Sequence, residues 1–161
     1  MVAAPTGTEA GPGAAPRVGI LAVQGDVAAH ATALERAGAR AVPVLREKDL
    51  DDLTALILPG GESTTISKGI ARLGLAEPLR AFAESGRTLL GTCAGAILLA
   101  REARSREAAH EAVPTLGVLD VVAVRNAYGT QVDSFAATVD EGAAPGLEGL
   151  RCVFIRAPQL E

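Results

Sequence analysis

One stretch, Thr88-Leu89-Leu90-Gly91-Thr92-Cys93-Ala94-Gly95-Ala96, restricts what this chain can fold into more than any other. A short apolar run reads as a buried strand, and it stops at a Gly-x-Cys-x-Gly turn that passes directly into an Ala/Leu/Ile segment of helical character. Strand, sharp turn and helix in that order make the layout that holds a nucleophile on an elbow, with a glycine on each side so that backbone can approach backbone. Cys93 then stands at a helix N-terminus, where unpaired N–H groups and the helix dipole favour a thiolate. The same residues also suit a small buried cysteine in an ordinary βα turn. The rest of the chain has to separate the two.

With 161 residues the chain is long enough for one domain with a full core. Hydrophobic residues make up 48% and aromatics only 2%. That excludes a disordered chain and suits an α/β domain, whose buried parallel strands are aliphatic. The formal charge of −4 and the lack of basic clusters argue against nucleic acid as a partner. No apolar run is long enough to span a bilayer, and Cys93 and Cys152 are too few for a disulfide framework and fit a reducing cytosol. Residues 1–16 lack the basic start and apolar core of a signal peptide and read as a disordered N-terminal extension. The folded domain is expected to cover residues 17–161, in a cytoplasmic protein.

Along the chain, Val18–Val23 is a strand candidate, Gln24-Gly25 a turn, and Asp26 a cap for a helix with Val27, Leu34 and Ala37 on its apolar stripe and Gly38 as its stop. Ala41–Leu45 and Ala55–Leu58 are further strands, with a brief helical turn over Leu50–Leu53 between them. Helices are expected over Thr64–Leu73 and Pro78–Ser85, the second with Pro78 in its first turn and Gly86 as its stop. Thr88–Gly91 is the strand ahead of the elbow. This alternation predicts an α/β fold with a doubly wound, mostly parallel sheet flanked by helices. Ligands bind at the carboxyl ends of such strands, where both Pro59–Ser63 and Gly91–Gly95 fall, so the two turns are expected to face one pocket. Ala103–Pro114 reads as an exposed helix end or linker. Val118–Val124 and Ser134–Val139 read as appended antiparallel strands, and Cys152–Ile155 as a last strand.

Polar groups follow three of these strands: Gly60-Gly61-Glu62-Ser63, Arg125-Asn126 and Arg156. A backbone N–H of the Gly60-Gly61 pair and the N–H of Ala94 can form an oxyanion hole. Two arginines can hold a carboxylate bidentately. Together with a cysteine nucleophile these suit acyl transfer from a small amino-acid-like substrate. Each group also has a plainer reading: a simple turn for Gly60-Gly61, helix caps for Glu62 and Ser63, and solvated or ion-paired surface for Arg125 and Arg156.

Four motifs in order, Leu-Pro-Gly-Gly-Glu-Ser-Thr-Thr (58–65), Gly-Thr-Cys-Ala-Gly (91–95), Arg-Asn-Ala-Tyr-Gly-Thr-Gln-Val-Asp-Ser-Phe (125–135) and Val-Phe-Ile-Arg-Ala-Pro (153–158), resemble the glutaminase subunit of pyridoxal 5′-phosphate synthase, a triad-type glutamine amidotransferase. The resemblance runs from about Val18 to Pro158, and the 125–135 stretch is its most specific part. Ile97, where other triad amidotransferases often carry Gln or Met, favours the vitamin B6 branch. The resemblance implies a class I amidotransferase fold and hydrolysis of L-glutamine to glutamate and ammonia through a thioester on Cys93. It further implies a hetero-oligomer with a barrel-shaped synthase subunit that receives the ammonia, and no cofactor or metal. Gly61, Glu62, Ser63, Arg125, Ile155 and Arg156 would hold glutamine, and Gly60, Gly61 and Ala94 would supply the oxyanion hole.

In that family a His-Pro-Glu segment after the Ile-Arg-Ala-Pro strand supplies the catalytic histidine and its orienting glutamate. The 161 residues hold only His30 and His110, neither in a His-x-Glu context. His30 is expected at a surface or interface, and His110 in solvent. The alternative expectation is therefore a truncated, inactive module that binds glutamine or the synthase subunit without turnover. A different cysteine hydrolase on a similar sheet is disfavoured by the 125–135 stretch and the Gly-Gly-Glu-Ser turn.

Overall fold

The computed structural model describes residues 14–105, 112–129, 131–143 and 145–161. Its centre is a four-stranded parallel sheet in the order β2-β1-β3-β4, made of β1 (Arg17–Leu21), β2 (Arg40–Val44), β3 (Ala55–Leu58) and β4 (Thr88–Gly91). The two inner strands are the most continuously aliphatic, and from Val18 to Leu21 and from Leu56 to Leu58 they are buried. That is how strands covered on both faces read in sequence. β3 and β4 pair in register to their last residues, Leu58 opposite Gly91. The turns that leave them therefore emerge side by side.

Helices α1 (Val27–Arg36), α2 (Ser63–Arg72), α3 (Ala76–Glu84) and α4 (Ala94–Leu99) pack around this sheet. Ile66 and Ile70 of α2, Leu79 and Phe82 of α3, and Ala94 and Leu98 of α4 close on Leu21, Val44, Leu56 and Leu58 in one core cluster. Each fully buried aliphatic or aromatic side chain contributes about 1.5–3 kcal/mol relative to an exposed one, so this cluster fixes the strand ends on which the site is built. α1 is different: none of its residues is buried.

The predicted parallel sheet and its helices agree with the structure to within one or two residues, and Gly38 and Gly86 fall just past α1 and α3 with positive φ. Some expectations need correction. The short helical turn lies at Glu47–Leu50 rather than 50–53, because the Asp49 carboxylate accepts the backbone N–H groups of Leu45 and Arg46 and starts the turn early. The helix end or linker expected over Ala103–Pro114 is overturned at its start, where Ala103–Ser105 belong to a strand, β5 (Ala100–Ser105); residues 106–111 lie outside the described residues. β5 pairs in parallel with β6 (Leu119–Arg125), leaving Arg101, Glu102 and Arg104 exposed and burying Ala100.

The two segments either side of residues 126–130 do not pair with each other. β6 instead pairs antiparallel with β9 (Gln159–Leu160), a strand the sequence did not reveal, and β7 (Phe135–Thr138) pairs antiparallel with β8 (Arg151–Phe154). The appended strands thus form two small sheets of their own beside the parallel one. Tyr128, Phe135 and Phe154 meet in an aromatic cluster, with the Phe135 and Phe154 rings stacked at 4.8 Å. This cluster pins residues 126–129 to the β7–β8 hairpin. At the N-terminus the Pro16 carbonyl already accepts the Arg40 N–H at 2.8 Å. Residues 1–13 of the expected extension lie outside the described residues, as does His110.

Candidate active site

The elbow is built by close approach of backbones. A β-carbon on Gly95 would stand 1.9 Å from the Leu58 carbonyl oxygen, and one on Gly91 would stand 2.7 Å from the Ala96 nitrogen. Only glycine lets α4 start this close to β3. Thr92 between them is fixed on both sides, its N–H donating to Leu58 O at 3.1 Å and its carbonyl accepting the Gly95 N–H at 2.8 Å. The chain then turns so sharply that Cys93 takes φ 48° and ψ −106°. A non-glycine residue is held in such a sparsely populated conformation only where its surroundings over-determine it, and such strain clusters at functional sites.

Cys93 is exposed, which removes the reading as a buried core cysteine. Its thiol, however, is pushed above the ordinary cysteine value rather than drawn down as the helix N-terminus alone would suggest. Partial withdrawal of the sulfur from water is the largest cause, and the charge of Asp26 adds to it. The Ala94 N–H and the charge of Arg156 act in the opposite direction but do not prevail. The elbow therefore presents the thiol without keeping it ionised.

The turn after β3 faces the elbow, as the strand ends predicted. A β-carbon on Gly60 would lie 3.4 Å from the Cys93 β-carbon and 3.7 Å from Asp26 Oδ2. The turn after β1 interlocks with it. Asp26 N–H donates to Gly60 O at 3.1 Å, Glu62 N–H donates to Gln24 Oε1 at 3.0 Å, and a β-carbon on Gly25 would stand 1.9 Å from Gly60 O. Turns from β1, β3 and β4 thus meet at one place.

Glu62 caps α2: its carboxylate accepts the Thr64 N–H at 3.0 Å and the Thr65 N–H and hydroxyl at 2.6 Å each. Partial burial pushes its pKa up, but these hydrogen bonds outweigh that and hold it down at about 2. Its side chain serves as a cap, while its N–H faces Gln24. Ser63 is buried at the first position of α2. Arg156 follows β8 with φ 48°, exposed, and is the arginine whose charge reaches Cys93. Ile155 beside it is exposed as well, and Arg125 ends β6 opposite Ser105 of β5.

Three participants carried no local signal. Asp26 is a natural helix cap by sequence, yet its side chain makes no cap hydrogen bond and its carboxylate lies at the Gly60–Cys93 contact. Gln24 read simply as part of a turn. His30, expected at a surface or interface, is half-buried with its Nε2 3.0 Å from Thr92 Oγ1. The order β2-β1-β3-β4 is the only signal that could have found them, since it places the β1 turn beside β3.

A six-residue helix opening on a strained cysteine, at the carboxyl end of a parallel sheet, defines the class of α/β enzymes with a nucleophile elbow. Residues 20–161 match the model of the SNO glutamine amidotransferase family, and the chain belongs to that family of enzymes. It is 53% identical over 148 residues to "Pyridoxal 5′-phosphate synthase subunit PdxT" of Acidothermus cellulolyticus, an alignment covering 91% of this chain and 69% of that one. The protein of the same name from Pyrobaculum arsenaticum is 51% identical, with 88% and 71% covered. A solved structure described as a glutamine amidotransferase superposes with a TM-score of 0.77 at 45% identity, over 88% of this chain and 71% of that one. Among the described residues no helix is long and apolar enough to cross a membrane.

Proposed function

We propose that the chain, with residues 17–161 as a single glutamine amidotransferase domain, is the cytoplasmic glutaminase subunit of a pyridoxal 5′-phosphate synthase. One observation carries the reading furthest: the Gly60 turn stands against the strained Cys93 elbow, the arrangement a thiol and an oxyanion hole require. The family description supports the substrate, and the names of the relatives support the synthase partner.

In this mechanism the Cys93 sulfur attacks the side-chain amide carbon of L-glutamine, and the amide oxygen becomes an oxyanion. The Ala94 N–H and a backbone N–H of the Gly60-Gly61 pair stabilise it. Collapse breaks the C–N bond, ammonia leaves with an added proton, and water cleaves the thioester to glutamate and free thiol. Arg156 and Arg125 hold the substrate carboxylate, and Gly61, Ser63, Ile155 and the backbone of Glu62 line the rest of the glutamine. Ammonia passes to the synthase subunit.

One observation favours a second reading, a module that binds glutamine or the synthase subunit without turnover: the Cys93 thiol is held above its ordinary value, chiefly by withdrawal from water. The test is glutamate release from L-glutamine by the chain mixed with the synthase subunit, alongside Cys93→Ala. Release that disappears in the variant supports the glutaminase. Glutamine-dependent complex formation with no glutamate supports the binding module, and the absence of both results sinks both readings.

A further inference from the structure

His30 is the one histidine among the described residues, and the chemistry above does not use it. Its Nε2 lies 3.0 Å from Thr92 Oγ1, across 62 positions of sequence. Thr92 immediately precedes Cys93. With its N–H committed to Leu58 and its carbonyl to Gly95, the hydroxyl is what links Thr92 to α1. α1 has no buried residue to seat it, so a polar tie of this kind matters more there than on a well-packed helix. The same first turn places Asp26 beside Gly60 and Cys93.

We propose that His30 is a positioning residue for the nucleophile, holding the elbow through the Thr92 hydroxyl so that the Cys93 sulfur stays against the Ala94 N–H. The proposal rests on the reading of Cys93 as the acyl acceptor. An imidazole suits the task because Nε2 can donate or accept according to its tautomer, and a threonine hydroxyl rotates to match either. Releasing the tie lets the strained Cys93 backbone relax, which weakens the contact from the Ala94 N–H and disfavours the thiolate. Neither of the charges that face the thiol, Asp26 ahead of α1 and Arg156 after β8, is removed when His30 or Thr92 is changed.

The test is the rate of Cys93 alkylation by iodoacetamide across pH, followed by intact mass on the full chain. The variants are His30→Ala, His30→Gln, Thr92→Val, Thr92→Ser and the His30→Ala/Thr92→Val double. Loss of one hydrogen bond of ordinary strength corresponds to a roughly three- to tenfold slower reaction at neutral pH, with the pH midpoint moved upward. The double variant should be no slower than either single, because both remove the same bond. Gln at position 30, whose amide reaches about as far as Nε2, and Ser at position 92 should restore most of the rate. With the synthase subunit, the same variants should lower kcat for glutamate release and leave KM unchanged.

Additive losses in the double variant, a His30→Gln as slow as His30→Ala, or unchanged rates would overturn the proposal. If His30→Ala does not fold, the Thr92→Val and Thr92→Ser pair still decides it. The alkylation uses neither glutamine nor the synthase, so its outcome stands apart from that of the glutaminase reading.

Discussion

At the scale of single residues, Cys93 is poised by geometry and restrained by electrostatics. Its thiol is raised by loss of water and by Asp26, and opposed by the Ala94 N–H and Arg156. The reactive thiolate fraction at neutral pH is therefore smaller than that of an ordinary cysteine, and alkylation should climb with pH to a midpoint above the ordinary thiol value. Asp26→Asn should move that midpoint down and Arg156→Gln should move it up, as read from iodoacetamide rates; reversed or absent shifts would contradict the charge arrangement.

Glu62 gives a second prediction at this scale. Its pKa is depressed from an ordinary 4.5 to about 2 in the folded chain. A depressed acid contributes stability that is present above the unfolded value and lost as pH falls toward the folded value. Glu62→Ala should cost about 1 kcal/mol, as loss of a helix cap does. It should also flatten the decline in stability between about pH 4.5 and pH 2, measured by urea unfolding.

At the scale of elements, α4 meets β3 through a backbone contact that leaves no room for a side chain at Gly95. Gly95→Ala places a β-carbon 1.9 Å from a backbone oxygen that cannot swing away, so the helix must shift, at about 1–3 kcal/mol or more. Gly38→Ala meets nothing within 4 Å and has only its positive φ to resist it, about 1 kcal/mol. Urea midpoints should therefore fall further for Gly95→Ala, and only that variant should also slow Cys93 alkylation. Equal effects would mean the elbow is looser than its geometry.

How far the sequence was legible follows from where each signal resides. β1 and β3 announce themselves because buried parallel strands are unbroken aliphatic runs. β4 reads the same way in sequence, but as the edge strand of the parallel sheet it has no buried residue, and Leu90 is 50% exposed. The elbow is legible because its glycines are dictated by backbone contact a few residues away. β5 hid because its exposed Arg101, Glu102 and Arg104 resemble a solvated helix end. β9 hid because two residues carry no period. Asp26 and His30 escaped notice because their partners, Gly60 and Thr92, come to them only through strand order, and Asp26 already had a credible local task as a cap.

At the scale of the whole molecule, one end of the parallel sheet gathers the turns after β1, β3 and β4, and Arg156 after β8 brings the added sheets to it. That convergence underlies the proposal that Cys93 and its surroundings form a glutamine site. The most direct test is labelling by 6-diazo-5-oxo-L-norleucine, a glutamine analogue whose diazoketone alkylates a thiol placed at the amide carbon. The chain would be treated with the synthase subunit present at alkaline pH and analysed by intact mass and peptide mapping. The account predicts a single adduct on Cys93, suppressed by L-glutamine and absent in Cys93→Ser, with the half-buried Cys152 untouched. Labelling of Cys152 to the same extent, or labelling of Cys93 that glutamine does not suppress, would contradict it.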